Sequence, residues 1–215
     1  MSANYKIILA CIAALFAGLY LQLFGFNLPA KRIAVTDPGI EGLLWPGQKA
    51  LGEFELIGSD GETYGPGKLK DRWNFLFFGY THCPDICPIT MQTLRQVRES
   101  LAGQDITQSL NFLFVSVDGA RDTPEHLKQY IGYFGPGFEA ASGSPDQVNS
   151  LTNQIGVPYS IDEHQAGEDY LVAHSGAVYL VSPKGNLSAI FQPPHTPDEI
   201  AERFTEIRKY LDSQT

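Results

Sequence analysis

The sequence predicts an α/β protein in which helices flank a central mixed β-sheet, with a single transmembrane helix before it. Three observations indicate this. Strand-like apolar runs alternate with helix-like windows, two strand-like runs joined by a short turn lie near the end, and an uninterrupted apolar run lies near the start. Alternating strands and helices produce a mostly parallel sheet covered on both faces, and a closing hairpin adds an antiparallel pair.

The apolar run covers residues 7–26 and contains no charged residue. Its length matches the roughly 20 apolar residues that cross a bilayer as a helix. A cleaved signal peptide is the alternative, but the run exceeds the usual apolar segment of about 7–15 residues and ends without a small-x-small cleavage pattern. We therefore expect residues 1–6 to be a short N-terminal segment and residues 7–26 to be a membrane anchor.

The residues on either side of the apolar run indicate which membrane it crosses and predict a tether after it. Lys6 is the only basic residue before the apolar run, whereas a mitochondrial presequence is rich in arginine. We therefore favour a bacterial inner membrane, which the chain crosses once. Lys31 and Arg32 on the other side leave the charge rule for orientation nearly tied. Residues 27–50 are rich in proline and glycine and predict a tether, which leaves 51–215 as the folded domain.

The first half of the domain reads as alternating elements. Residues 54–57 and 73–79 predict strands, 88–102 predicts a helix with one apolar face, and 110–117 predicts another strand. The two longer strand-like runs are almost continuously apolar. Such runs are typical of strands that are buried on both faces of a sheet.

Three helix starts and a hairpin complete the pattern. Each start has a capping residue followed by proline at the first helical position: Thr123-Pro124, Ser144-Pro145 and Thr196-Pro197. Residues 177–182 and 187–192 flank a Pro-Lys-Gly-Asn turn and predict a hairpin. The order is strand, helix, strand, helix, a further helix, two strands and a final helix. A thioredoxin-like fold fits this order best.

The charge distribution excludes one class of partner. The formal net charge is −9, and lysine and arginine do not cluster anywhere in the chain. Neutralising a nucleic-acid backbone requires clustered cations. We therefore expect no nucleic-acid partner.

Cys83 and Cys87 follow a predicted strand and precede a predicted helix, where backbone N–H groups and the helix dipole stabilise a thiolate. Proline is best tolerated in a first helical turn, so we expect the helix to begin near Pro88 with Cys87 as its cap. The turn between the cysteines permits a disulfide or a shared metal ion, and two inert thiols are a third interpretation. Thiolates select Cu(I), zinc or iron–sulfur clusters, but structural zinc and cluster sites usually need four protein ligands.

A histidine and an aspartate are further candidates. His174 ends an apolar strand-like run, where a histidine is more often structural than a ligand. Asp118 follows the strand predicted at 110–117, near the edge where α/β proteins place ligands, although an ordinary turn residue is the alternative. The remaining histidines have weaker surroundings for a ligand: His82, His126, His164 and His195.

Three blocks of sequence resemble a known family. They are FFGYTHCPDICPITMQTL at 77–94, VSVDGARDTPEHL at 115–127 and DYLVAHSGAVYLVSPKG at 169–185. Together they are similar to the Sco (SenC) family of membrane-anchored, thioredoxin-fold copper proteins that help to assemble cytochrome c oxidase. The resemblance runs from about residue 40 to the end. One departure is Ala173, where many family members have an acidic residue.

The resemblance implies a metal site. In it, Cys83, Cys87 and His174 bind one copper ion per chain, as Cu(I) or as Cu(II). Asp118 is expected near the metal, where it modulates the redox state of the cysteines. Loss of the acidic residue at Ala173 affects the tuning of His174 rather than its ligation.

The resemblance also implies a function and partners. The leading hypothesis is a metallochaperone, facing the periplasm, that takes copper from an upstream periplasmic donor. It delivers this copper to the dinuclear copper centre in the copper-site subunit of cytochrome c oxidase. One alternative is a thiol–disulfide oxidoreductase that reduces the oxidase cysteines before metallation. The other is a redox sensor.

Overall fold

A mixed eight-stranded sheet forms the frame of the protein. The computed structural model describes residues 39–40, 42–104, 109–161 and 170–214. The strands in this part of the chain are β1 Leu44–Ala50, β2 Leu56–Gly58, β3 Thr63–Tyr64, β4 Trp73–Gly79, β5 Leu110–Ser116, β6 Phe138–Ser142, β7 Tyr159–Ile161, β8 Val172–His174, β9 Val178–Val181 and β10 Asn186–Phe191. The order across the sheet is β1-β10-β9-β4-β5-β6-β2-β3, and β7 and β8 form a separate ribbon.

Helices cover both faces of the sheet. They are α1 Ile86–Ser100, α2 Pro124–Gly132, α3 Pro145–Ile155 and α4 Pro197–Asp212, with a short 3-10 helix at Pro66–Leu69. Phe204 of α4 packs on Phe75 of β4, and α1 lies beside α4. On the opposite face, α3 shares an apolar cluster with Leu76 and Phe78 of β4.

The central strands β4 and β5 are buried along their whole length, as their continuous apolar runs predict. They pair in parallel, and β9 pairs antiparallel with the other side of β4. Three aromatic rings line one face across neighbouring strands. The ring of Phe112 stacks on Phe75 and Phe138, with centroids 5.0 Å and 4.9 Å away. This stack ties the three central parallel strands to one another.

The predicted fold class is confirmed for the folded part of the chain. The sheet is mixed and flanked by helices, and β9 and β10 form the predicted antiparallel hairpin. The three predicted helix starts are also confirmed. The side chains of Thr123, Ser144 and Thr196 each accept a backbone hydrogen bond from the first turn of the helix that follows.

The tether predicted at 27–50 is wrong at its C-terminal end. Leu44–Ala50 forms strand β1, which pairs antiparallel with β10. Pro46 and Gly47 conceal this strand in the sequence. Gly47 and Gln48 adopt positive φ angles of 74° and 46°, and the register shifts between Leu44 and Lys49, as in a bulge. An edge strand tolerates proline and a bulge because one side of it makes no ladder bonds.

Strand β6 and the ribbon of β7 and β8 also escape the sequence patterns. Strand β6 lies between α2 and α3, where the sequence predicts only a connection between two helices. Its residues Phe-Glu-Ala-Ala-Ser carry little β propensity, and their burial beside β5 decides the structure. The ribbon of β7 and β8 is also absent from the predicted order, because each strand has only three residues.

The predicted anchor at 7–26 and residues 27–38 of the tether lie outside the described residues. Within the described ranges, no helix combines the length and the apolar character that spanning a membrane requires.

Phe112→Ala should lower the free energy of unfolding by about 3–5 kcal/mol, because it removes the central ring of the aromatic stack and leaves a cavity. Urea denaturation of the purified chain measures this change. Tyr133→Ala is the control, since Tyr133 is 72% exposed and its loss should cost less than about 0.5 kcal/mol. Equal effects of the two substitutions would contradict the assignment of Phe112 to the core.

Candidate metal centre

The two cysteines lie where β4 gives way to α1. Cys83 is in the loop and is partly exposed, whereas Cys87 is buried in the first turn of the helix, and both are free thiols. The helix begins at Ile86, with Asp85 at the capping position, so the prediction that Cys87 caps a helix beginning near Pro88 is wrong. Pro88 still falls in the first turn, where a backbone N–H has no helical partner to lose.

His174, at the end of β8, meets the two thiols. Its Nε2 lies 3.4 Å from the Cys87 Sγ, and the ligand atoms of Cys83, Cys87 and His174 all lie within 4.8 Å of one another. Strand β9 runs antiparallel to β4, with Val178 opposite Phe77, so the chain just before β9 lies at the edge where β4 ends. The sheet therefore brings together residues that are 87 positions apart. We call these three residues the thiol–imidazole site.

The orientation of the His174 ring is set by its neighbours. Its Nδ1 lies 3.1 Å from the carbonyl oxygen of Ser175. A carbonyl oxygen can only accept, so Nδ1 carries the proton and Nε2 presents its lone pair to the sulfurs. Phe77 and Tyr80 pack against the ring at near-perpendicular angles, with centroids 6.1 Å and 5.7 Å away. These contacts prepare a neutral imidazole as a metal ligand.

Burial favours the uncharged forms of Cys87 and His174. It raises the pKa of the Cys87 thiol far above its ordinary value, and the neighbouring Cys83 raises it further. Burial also lowers the pKa of the His174 imidazole, against the opposing effect of its backbone hydrogen bonds. A cation that binds to the Cys87 sulfur must therefore displace the thiol proton.

Close packing fixes the position of the Cys87 sulfur. A Cβ atom on Gly79, the last residue of β4, would lie 2.5 Å from the Cys87 Sγ and 3.1 Å from the ring of Phe114. Only glycine fits at this point without moving the thiol. The sequence shows this glycine before the Cys-Pro-Asp-Ile-Cys turn, but spacing alone does not reveal its contact with the sulfur.

Asp118 is not one of the grouped ligands. It is fully buried and accepts hydrogen bonds from the Tyr170 hydroxyl and from Nε of Arg121. The Arg121 guanidinium lies over the rings of Tyr170 and Tyr80, 3.6 Å and 5.5 Å from their centroids. Since Tyr80 packs on His174, Arg121 and Tyr80 connect Asp118 to the site.

Sequence reasoning missed Asp122, which braces the loop that carries Cys83. Its carboxylate accepts hydrogen bonds from the backbone N–H and hydroxyl of Thr81 and from the hydroxyl of Ser116. Thr81 follows β4 and Ser116 ends β5, so one buried carboxylate joins the ends of the two central strands. The only signal in the sequence was the position of Asp122 in the block Arg-Asp-Thr-Pro.

An open cleft of about 450 Å³ leads to the site, lined in part by Tyr80, Cys83 and His174. Two exposed apolar side chains, Ile86 and Leu171, which are 37% and 59% exposed, lie on its rim beside Asp85 and Ser160. The cleft gives an ion or a partner side chain access to the site from solvent.

Comparison with known families and structures agrees with this geometry. The SCO1/SenC family model matches residues 46–209. The chain belongs to the SCO1/SenC family.

Three relatives show how far the similarity extends. A protein of Stutzerimonas stutzeri named for copper binding is 36% identical over 168 residues, which cover 78% of this chain and 81% of that protein. The copper-bound structure of ScoI from Arabidopsis thaliana is 31% identical, with a TM-score of 0.67 over 74% of this chain and 97% of that one. Yeast Sco1 is 29% identical, with a TM-score of 0.69 over 74% and 98%. The thioredoxin-like fold of this SCO1/SenC member is therefore confirmed.

Gly79→Ala should lower the free energy of unfolding by about 1–3 kcal/mol, because the added methyl group overpacks the space held by the Cys87 sulfur and Phe114. Gly67→Ala is the matched control, since a Cβ there meets nothing within 4 Å. Its effect should stay within about 0.5 kcal/mol. Urea denaturation of both variants measures the difference, and a neutral Gly79→Ala would mean that Cys87 is not confined as described.

Proposed function

We propose that this SCO1/SenC member is a copper chaperone of cytochrome c oxidase assembly that carries copper in its thiol–imidazole site. The observation that supports this most is the convergence of two sulfurs and one imidazole nitrogen within 4.8 Å. Thiolate is a soft ligand that favours Cu(I), and imidazole suits copper in either oxidation state. The copper-bound structure of a relative that is 31% identical supports copper as the cargo.

The geometry of the site suits transfer as well as binding. Cys87 and His174 lie on a buried helix turn and at a strand end, whereas Cys83 lies on the partly exposed loop. A client thiolate that enters the cleft can replace one ligand at a time, so copper need never be released to water. We expect the thiol–imidazole site to hold one copper ion, as Cu(I) or Cu(II), because its three ligand atoms converge on one point.

The site and the apolar run near the start also suggest which client receives the copper and where in the cell this protein lies. Thiolate-for-thiolate exchange fits the dinuclear copper centre in the copper-site subunit of the oxidase, with a periplasmic donor upstream. The exposed apolar side chains of Ile86 and Leu171 offer a contact surface for such partners. The apolar run at 7–26 supports a single-pass location in a bacterial inner membrane, with the folded domain in the periplasm.

Thiol–disulfide exchange is a second candidate, because the sulfur atoms of Cys83 and Cys87 lie within 4.8 Å of each other. In this scheme the thiolate of Cys83 attacks a client disulfide and releases one client thiol. The Cys87 sulfur, on losing its proton, then attacks Cys83 and releases the second client thiol. The client gains two electrons and the pair ends as a disulfide. The raised pKa of Cys87 slows that second step.

Loss of any one ligand should weaken copper binding. The purified, reduced, full-length chain should bind one copper per chain, whereas Cys83→Ser, Cys87→Ser and His174→Ala should each bind at least about tenfold more weakly. Competition with a chromophoric Cu(I) chelator measures the affinities. His195→Gln is the control, because the His195 Nε2 contacts the Gly176 carbonyl oxygen and not the thiols.

His174→Ala also separates the two candidate functions, because thiol exchange does not use the imidazole. In cells, this variant should lower the copper content of the oxidase if the chain is a chaperone. Full copper affinity and normal oxidase copper in His174→Ala would refute the chaperone and leave thiol exchange.

Copper affinity should rise with pH. The free Cys87 thiol has a raised pKa and is protonated between pH 6 and 8, but it binds copper as a thiolate, so binding releases a proton. The pKa of the His174 imidazole is lowered, so protons compete with copper for it less than for an ordinary histidine. The dissociation constant should therefore fall by at least about tenfold per pH unit. Chelator competition from pH 6 to 8 measures the slope, and Cys87→Ser should reduce it by about one proton. A flat profile in the parent chain would show that the Cys87 proton is not displaced.

A further inference from the structure

A second group of potential metal ligands lies beside the thiol–imidazole site and is not used by it. His82, Asp122 and His126 each offer one ligand atom, and these atoms lie within 4.8 Å of one another. We call them the His82 cluster. The rings of His82 and His126 are 5.1 Å apart and nearly perpendicular. The cluster contains two imidazoles and one carboxylate but no sulfur, so its chemistry differs from that of the neighbouring site.

The carboxylate of Asp122 is held in place by three donors. Its Oδ2 accepts from the Thr81 backbone N–H and from the Ser116 hydroxyl, and its Oδ1 accepts from the Thr81 hydroxyl. Oδ1 also lies 3.7 Å from Nδ1 of His82. A carboxylate oxygen has two acceptor positions, so Oδ1 keeps one free on the side of the imidazoles. Hydrogen bonds of this kind orient metal-ligating carboxylates.

The two imidazoles are also prepared as ligands. Nδ1 of His126 lies 3.4 Å from the carbonyl oxygen of Arg121, which can only accept, so Nδ1 is the protonated nitrogen and Nε2 has a lone pair. Nδ1 of His82 lies 3.2 Å from the Thr81 hydroxyl, whose single proton is given to Asp122. This hydroxyl therefore accepts from His82, and Nε2 of His82 is left with a lone pair. The same backbone-carbonyl arrangement orients His174 in the thiol–imidazole site.

One small movement would complete a coordination sphere. Ligand nitrogens and oxygens bind zinc-sized ions at about 2.0–2.2 Å, which places the ligand atoms roughly 3 Å apart. The His82 side chain is 44% exposed and can turn inward, whereas Asp122 is fully buried. The cluster thus combines a fixed, buried carboxylate with an imidazole at the surface, and an ion can enter from solvent.

We propose that His82, Asp122 and His126 form a second metal site, which takes a divalent transition-metal ion that prefers imidazole and carboxylate ligands. Among common ions of this kind, Cu²⁺ is bound most tightly by nitrogen and oxygen ligands. The absence of sulfur makes the site poor for Cu(I), which the thiol–imidazole site favours. The chain therefore carries two metal positions of different softness on consecutive residues, His82 and Cys83.

A chain without the two sulfurs tests this proposal directly. The full-length double variant Cys83→Ser, Cys87→Ser should bind one Cu²⁺. Its electron paramagnetic resonance spectrum should be that of Cu²⁺ bound by nitrogen and oxygen ligands. Adding His82→Gln or His126→Gln should weaken this binding at least about tenfold. Adding His195→Gln, as the control, should leave it unchanged. Unchanged affinity in both cluster variants, or binding that disappears only with His174→Ala, would overturn the proposal.

A second measurement applies if the double serine variant does not fold. The parent chain is loaded with Cu(I) in the absence of oxygen and titrated calorimetrically with Zn²⁺. One Zn²⁺ should bind, and His82→Gln and His126→Gln should each weaken this step at least about tenfold while Cu(I) loading stays unchanged. No Zn²⁺ binding would refute the site. Because the first test uses a chain without thiols, its failure says nothing against the chaperone, and failure of the chaperone tests says nothing against the His82 cluster.

Discussion

The metal chemistry of this protein depends on the burial of β4 between a parallel and an antiparallel neighbour. Because β5 runs parallel, the loops that follow β4 and β5 leave the sheet at the same edge, with Gly79 level with Ser116. Because β9 runs antiparallel, the chain that leads into it starts at that edge as well. Three segments distant in sequence therefore meet at one place. A shift of β4 by one residue would exchange the side chains of its two faces, which would take Gly79 away from the Cys87 sulfur and Asn74 away from Asn111, so this meeting point is fixed.

The same burial determines the electrostatics of the thiol–imidazole site. The buried Cys87 thiol has a raised pKa and retains its proton, and the lowered pKa of the His174 imidazole favours its neutral form. A cation that binds to the Cys87 sulfur therefore displaces this proton. The affinity for copper depends on the free energy of removing the proton from a buried sulfur as well as on the bonds formed.

Most of the fold and part of the thiol–imidazole site could be predicted from the sequence. Continuous apolar runs predicted β4 and β5, and the Thr-Pro and Ser-Pro pairs predicted three helix starts, because these are local signals. Strand β1 was not predicted because it contains Pro46 and Gly47, which usually indicate a loop. An edge strand tolerates these residues, whereas a central strand does not. The cysteine pair was visible from spacing. His174 was assigned only through family resemblance, because its approach to Cys87 depends on strand order, which no local pattern encodes.

Asp122 shows how one buried carboxylate serves two neighbouring groups of ligands. By accepting from both polar hydrogens of Thr81, it fixes the backbone one residue before His82 and two residues before Cys83. His82 then faces the loop after β5, whereas Cys83 faces α1 and His174. These residues lie in a turn in which the Cys83 N–H donates to the Tyr80 carbonyl oxygen, so a single braced loop presents a nitrogen ligand on one side and a sulfur ligand on the other. Ligand softness, rather than distance, then decides which ion each position retains.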